Sequence, residues 1–193
     1  MIPPKQKNGK IPVFLYNLGG AFVNLVFAIL LFFAAYFSKS IIIFPQIFVM
    51  GGAISLIMAV FNGLPMKIGG IANDGMNAFA LRKDIHANEA FHKQLLINAA
   101  QTNGVRLSNM PTEWFALPKS ADMNNPICAS IPVFYCNRLF DEERFDEAEN
   151  AIFALINSDN GLIGMYRGML ISDFIYCLLL LRLLLKQVLH PRN

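Results

Sequence analysis

The sequence predicts an all-α integral membrane protein: a two-span helical hairpin plus a short broken membrane segment, followed by a cytosolic helical domain. Three observations predict it. Of 193 residues, 55% are hydrophobic and only 15% charged, against about 25% charged in an ordinary soluble domain. Two apolar runs, 11–37 and 41–61, carry no charge and reach the roughly 20 residues that span hydrocarbon. The charges are also segregated: residues 1–81 hold Lys5, Lys7, Lys10, Lys39 and Lys67 with a single acid, Asp74, whereas the remainder is nearly balanced. The boundary falls at residue 84, giving a membrane domain over 1–84 and a cytosolic helical domain over 85–193, the latter of ordinary domain size.

Composition also excludes function classes. No long basic run with interleaved aromatics is present, so nucleic acid is not a partner. Cys128, Cys136 and Cys177 are odd in number and lack a C-x-x-C pair, which argues against a disulfide framework and a thiolate zinc site. They read as reduced, packing cysteines.

Residues 1–10 combine Pro3, Pro4 and Gly9 with three lysines, an irregular loop whose charge suits the cytosolic flank of a membrane segment. A secretory signal would have a shorter apolar core and a small-residue cleavage site, so 11–37 reads as a retained transmembrane helix. Its first half gathers Asn17, Gly19, Gly20 and Asn24. Small residues admit a second helix and buried amides bond across the contact, which predicts Asn17, Gly20 and Asn24 on a helix contact and 25–37 on membrane lipid. The two asparagines are read as helix glue without a chemical role.

Ser38, Lys39 and Ser40 form a polar break, and 41–61 is the second span, with Pro45 near its start and Gly51-Gly52 in its middle. Positive charge lies mainly outside the hairpin, at Lys5, Lys7 and Lys10 and again at Lys67, Arg82 and Lys83. The positive-inside rule therefore predicts both ends in the cytosol, and the expected location is a bacterial cytoplasmic membrane.

The stretch 61–79 concentrates the features that point to a site. Ionisable groups at membrane depth are costly and mark functional positions, which makes Asp74 a candidate. Pro65 and the glycines break helical hydrogen bonding, and irregular backbone at membrane depth survives only inside protein or beside a water-filled cavity. An equally weighted reading has the stretch just outside the membrane, with Asn73-Asp74-Gly75 as an ordinary turn. A short helix is predicted to start at or just after Asp74, since a carboxylate suits a helix N-terminus.

Asn62-x-x-Pro65 followed by Asn73-Asp74-Gly75 resembles the Asn-x-x-Pro…Asp-Gly pattern of site-2 proteases, the intramembrane zinc metalloproteases of the M50 peptidase family. The run 18–25, Leu-Gly-Gly-Ala-Phe-Val-Asn-Leu, is similar to the small-residue and Asn motif of the preceding family helix. The likeness covers roughly residues 10–84. It implies that Asp74 is the carboxylate ligand of a zinc ion, and that Asn62, Pro65 and Gly75 shape the backbone beside a cleft for a protein or peptide substrate.

The departure from the family is as informative. Its remaining ligands and general base come from H-E-x-x-H on an earlier helix, and this chain has no such motif. His86 and His92 are six residues apart, on different faces of a helix, and His190 is far away. With one protein ligand of three, no catalytic residue is assigned here, and the chain as given is expected to be inactive. Two accounts fit: Met1 lies inside a longer reading frame, or the chain is a degenerate relative.

Beyond residue 84 the pattern turns amphipathic. Apolar positions at 90, 91, 95, 96 and 99 predict a surface helix that ends at Asn103-Gly104. Prolines at 111, 118, 126 and 132 predict a loop-rich connection anchored by Trp114 and Phe115. Two short helices follow within 131–156, divided near Asp141-Glu142-Glu143. Phe145 and Ala148 after that charged turn resemble one tetratricopeptide-like helix pair. The acidic run 141–149 reads as a solvated face. Residues 162–190 form a long apolar helix in which Arg167, Asp173, Arg182 and Lys186 favour a buried or membrane-apposed position over a third span. A membrane zinc protease, and a non-catalytic membrane adaptor whose helical domain binds a partner peptide, are the two functions this pattern carries.

Overall fold

The computed structural model describes residues 3–5, 11–38, 43–68 and 71–189. The lysines at 7 and 10, Lys39 and Ser40 of the polar break, and His190 lie outside the described residues. Among the described residues the chain is mostly helical, with seven α-helices and one two-stranded ladder. It divides into two compact units, Lys5–Ile85 and a second that joins Met1–Pro4 with His86–Asn193.

The first unit is built on α1 (Val13–Phe37) and α2 (Phe44–Gly63), both long and apolar enough to cross a bilayer. Pro45 sits in the first turn of α2, where its missing N–H is one that no helix satisfies. The two helices pack along each other. The buried face of α1 is Val13, Asn17, Ala21, Ala28 and Ala35, and that of α2 is Gly52 and Ala59. Alanine and glycine at seven-residue spacing keep one smooth face turned to the neighbouring backbone. A Cβ on Gly52 would come within 2.9 Å of the Phe32 ring, and one on Gly63 within 3.3 Å of Ala21.

Two expectations for α1 are corrected. Gly20 is exposed, with nothing within 4 Å of where a Cβ would stand; it lies one residue, and so about 100° of helix, off the alanine seam. Asn17 is buried, but its Nδ2 donates to the Val13 carbonyl of its own helix at 2.8 Å, so this amide bond runs along α1 and not across the contact. Asn24 is half-buried.

After α2 comes a short antiparallel ladder of β1 (Lys67–Ile68) and β2 (Ile71–Ala72), pairing Lys67 with Ala72 and Ile68 with Ile71. The sequence reading of this stretch as irregular backbone missed the ladder, which is only two residues a side. It reverses the chain into α3 (Asp74–Lys83), whose Ala78 and Leu81 are buried and whose Phe79 meets Phe14 of α1 edge to face at 5.6 Å.

The second unit contains α4 (Ile85–Thr102), α5 (Pro126–Asp141), α6 (Phe145–Asn157) and α7 (Gly164–Leu189). α4 ends where the sequence predicts. Gly104 takes φ +78, and the Gly104 and Val105 amides donate to the Gln101 and Ala100 carbonyls at 2.9 and 3.0 Å, the left-handed helix stop that favours glycine. α5 starts earlier than the loop reading allowed. Asn125 caps it by accepting from the Ile127 amide at 3.0 Å, and Pro126 opens the first turn. Pro132 lies inside that helix.

The main core joins α5, α6 and α7 through Ala129, Val133, Cys136, Ile152, Leu155 and Leu170. A second cluster, Ile97, Leu107, Met110 and Phe115, pins the 105–120 loop, in line with Phe115 as a packing anchor. Arg138 fastens the same loop: its guanidinium donates to the Met110 carbonyl at 3.0 Å, pairs with Glu142 at 2.6 Å and stands 4.9 Å over the Phe115 ring.

Candidate functional site

The candidate site is the joint between α2 and α3, and its geometry follows from one missing hydrogen. In a continuous helix the Phe61 carbonyl would accept from the amide of residue 65. Residue 65 is proline, which has none. α2 therefore stops at Gly63, with the Leu64 amide making the last helical bond, to Val60 at 3.0 Å. The orphaned Phe61 carbonyl is taken instead by Asn73, whose Nδ2 donates to it at 2.5 Å and to the Leu64 carbonyl at 2.6 Å.

The oxygen of the same amide is equally occupied. Asn73 Oδ1 accepts from the Met76 amide at 2.9 Å, capping α3, and from the Met66 amide at 3.0 Å. A side-chain amide offers two donors and two acceptor lone pairs, and all four are used here. The Asn73 backbone amide adds a bond to the Met66 carbonyl at 3.0 Å. One side chain thus ties the end of α2, the strand-like connection and the start of α3 together.

Gly75 explains how close the two ends come. A Cβ there would collide with the Gly63 carbonyl oxygen and lie 2.8 Å from the carbonyl carbons of Gly63 and Leu64. Gly75 is needed for close backbone approach, a separate reason from a turn conformation.

These contacts hold Asp74 at the first residue of α3, where the helix dipole favours a carboxylate. Asp74 is exposed on the surface of the unit and within electrostatic reach of Tyr16 on α1. Asn62 is half-buried and Pro65 exposed beside it in sequence. An apolar groove of about 470 Å³ runs along the same end of the helix pair, lined by Phe14, Leu18, Phe22, Ala59, Gly63 and Leu64. The joint thus presents one carboxylate, a backbone held in fixed register, and an apolar trough.

Sequence reasoning quoted Asn73 within the motif but gave the capping role to Asp74. The cap is Asn73, one residue earlier. The available signal was the residue type: Asn is a favoured N-cap, and a proline eight residues before it had to leave a carbonyl without a helical donor.

A zinc ion is tested against this geometry on its donors. Among the described residues no group of three His, Cys, Asp or Glu side chains could hold a metal ion, and zinc sites use three or four protein ligands. Asp74 by itself does not fit the ion, so no chemical step is derived through one.

The remaining candidates resolve as structure. His86 is exposed and His92 half-buried on α4; burial pushes the His92 pKa down, and the Glu89 charge opposes that. Within the acidic run Asp141, Glu142 and Glu147 are held in ion pairs. Asp141 accepts from Arg106 at 2.8 Å and from the Ser108 amide at 2.8 Å, which holds its carboxyl down at about 2. Glu142 and Glu147 both pair with Arg144, at 2.7 and 2.6 Å. Cys128, Cys136 and Cys177 are all free and buried, with burial pushing the Cys136 thiol up to about 12.

Comparison with protein-family models, with characterised proteins and with solved structures finds no match to this chain.

Proposed function

We propose that this chain is an integral membrane protein of the site-2 protease type, supplying the carboxylate and cleft-shaping part of a peptidase that acts on membrane-associated protein or peptide substrates. The observation that carries the reading is the α2–α3 joint: Pro65 breaks the helix, Asn73 takes up the freed carbonyl, and Gly75 lets the chain turn back so that Asp74 stands at a helix start. Such machinery is expensive in sequence constraint for an ordinary turn, and its product is one carboxylate in a fixed place.

In this reading the substrate lies extended near Asn62 and Pro65, with its apolar part against the trough bordered by Gly63 and Leu64. The lysines on either side of α1 and α2 put both ends in the cytosol. The histidines and general base of such an enzyme would come from a helix that these 193 residues do not contain.

The test is to sequence the DNA upstream of the Met1 codon in frame and express the full reading frame for metal analysis. An H-E-x-x-H motif in an apolar helix, about one zinc per chain, and loss of that zinc in Asp74→Ala support the proposal. No such motif, or equal and negligible metal in both proteins, overturns it.

A second reading, a membrane adaptor with a partner-binding helical unit, is favoured by a groove of about 350 Å³ on that unit, lined by Pro118, Pro132, Tyr135, Ala151, Leu155 and Ser158. A groove of this kind suits an apolar peptide segment.

A further inference from the structure

Among the described residues the second unit leaves one side of α7 apolar and without protein cover. One side of this helix is committed to the unit: Leu170 and Cys177 are fully buried, Phe174 packs with Phe153 at 5.9 Å, and the Arg167 guanidinium donates to the Ile156 carbonyl at 2.6 Å. The opposite side is apolar and open. Met165 is 58% exposed, Met169 46%, Ile175 51% and Leu179 55%, and only Gly168 and Ser172 interrupt them on that side. Within 164–180 the charged residues are Arg167 and Asp173, both half-buried towards the core side.

A contiguous apolar strip of this length is unusual on a water-facing surface. We infer that the outer face of α7 docks in the plane of a lipid bilayer, as an interfacial helix carried by the second unit. Three observations select lipid as the occupant. The chain carries two other helices long and apolar enough to cross a bilayer, so a bilayer accompanies the unit. After Asp173 the sequence contains Arg182, Lys186 and Arg192 and no acid, a charge pattern complementary to anionic headgroups. The inner face is already filled by α5 and α6, which excludes a helix wrapped in lipid on all sides and leaves one lying at the surface. The inference rests on the membrane reading of α1 and α2, and is independent of any peptidase activity.

The test uses the full chain in vesicles of phosphatidylethanolamine and phosphatidylglycerol, spin-labelled at one introduced cysteine at a time. The three native cysteines are buried, which leaves the introduced thiol as the reactive one. Labels replace Ile175 or Leu179 on the open face of α7, Val26 on the outer face of α1, and Asn150 on the exposed side of α6. Collision with molecular oxygen reports lipid, and collision with a water-soluble nickel chelate reports solvent. The expected result is oxygen-dominated relaxation at 175, 179 and 26, nickel-dominated at 150, and a shift to nickel at 179 when Ile175→Glu is added. Nickel-dominated relaxation at 175 and 179 with oxygen at 26 overturns the α7 inference alone. Low collision with both reagents at 175 and 179 means that protein, such as a second copy, covers the face, and also overturns it. Nickel at 26 overturns the membrane reading and the inference together.

Discussion

The side-chain nitrogen of Asn73 occupies the hydrogen-bonding place at the Phe61 carbonyl that Pro65 cannot fill. The helix break at Pro65 and its repair at Asn73 are eight residues apart in sequence, and neither makes sense alone. Pro65 without Asn73 would leave the Phe61 and Leu64 carbonyls without their side-chain donor, and each such hydrogen bond contributes about 0.5–1.5 kcal/mol. Asn73→Ala should therefore destabilise the first unit by about 2–4 kcal/mol, from the lost cap and the freed carbonyls together. Asn73→Ser, which keeps an oxygen for the Met76 amide, should recover about 1 kcal/mol of that. Unfolding in mixed detergent micelles measures both, and a wild-type midpoint for Asn73→Ala would refute the clamp.

Gly75 and Gly20 make a paired prediction, because the two glycines sit in opposite surroundings. Gly75→Ala drives a methyl into the Gly63 carbonyl, a backbone clash that no rotamer relieves, and should cost 2 kcal/mol or more, roughly the upper range for overpacking. Gly20→Ala enters open space on a helix, where alanine is favoured by about 1 kcal/mol. The same detergent unfolding assay should move the two variants in opposite directions. Equal shifts would mean that Gly75 is not held against α2.

What the sequence disclosed and what it hid divide along physical lines. The helices α1, α2 and α4 announce themselves because apolar content and periodicity are local properties, and Gly104 ends α4 where the positive φ favours glycine. The α1–α2 seam was misread because glycine in a membrane helix invites a contact, yet Ala21, Ala28 and Ala35 make it. Only the neighbouring helix decides which small residues face inward. The start of α5 was hidden behind Pro126 and Pro132, which read as loop although the first of them is a favoured opening residue. At the candidate site, Asp74 was legible as a lone acid in an apolar stretch. The role of Asn73 was not, since its four partners are spread from Phe61 to Met76 and come together only in the fold.

The Arg106–Asp141 pair sets an acid limit on the second unit. Hydrogen bonds from Arg106 and the Ser108 amide hold the Asp141 carboxyl at about 2, below the ordinary value near 3.9. A carboxylate whose pKa is lower folded than unfolded stabilises the fold fully above the unfolded value, and that stabilisation fades as pH falls from about 4 towards 2. Trp114 is the only tryptophan and packs with Phe115 in the loop that Asp141 ties down, so its fluorescence reports this unit. Between pH 4 and 2 the wild-type Trp114 transition should shift to lower denaturant. Asp141→Asn should start lower at pH 7 and lose part of that dependence; an unchanged pH profile would place the acid sensitivity elsewhere.

Glu143 offers the reverse case, a position where the native residue is worse than its replacement. α5 ends with the Glu143 and Arg144 amides donating to the Phe140 and Leu139 carbonyls at 3.0 and 2.9 Å, the same stop that Gly104 makes for α4. Glu143, however, is not glycine, and holds φ 58 with its side chain exposed. A Cβ in the left-handed region costs about 1–2 kcal/mol. Part of this is returned by the attraction of Glu143 for Arg106, which salt screens at an exposed site. Glu143→Gly should thus stabilise the second unit by about 1 kcal/mol, more clearly at high salt than at low. Glu143→Ala should gain almost nothing, because it keeps the Cβ and loses the charge. Trp114-detected denaturation at two salt concentrations separates the variants, and an equal gain from Ala and Gly would assign the effect to charge, leaving no strain at this turn.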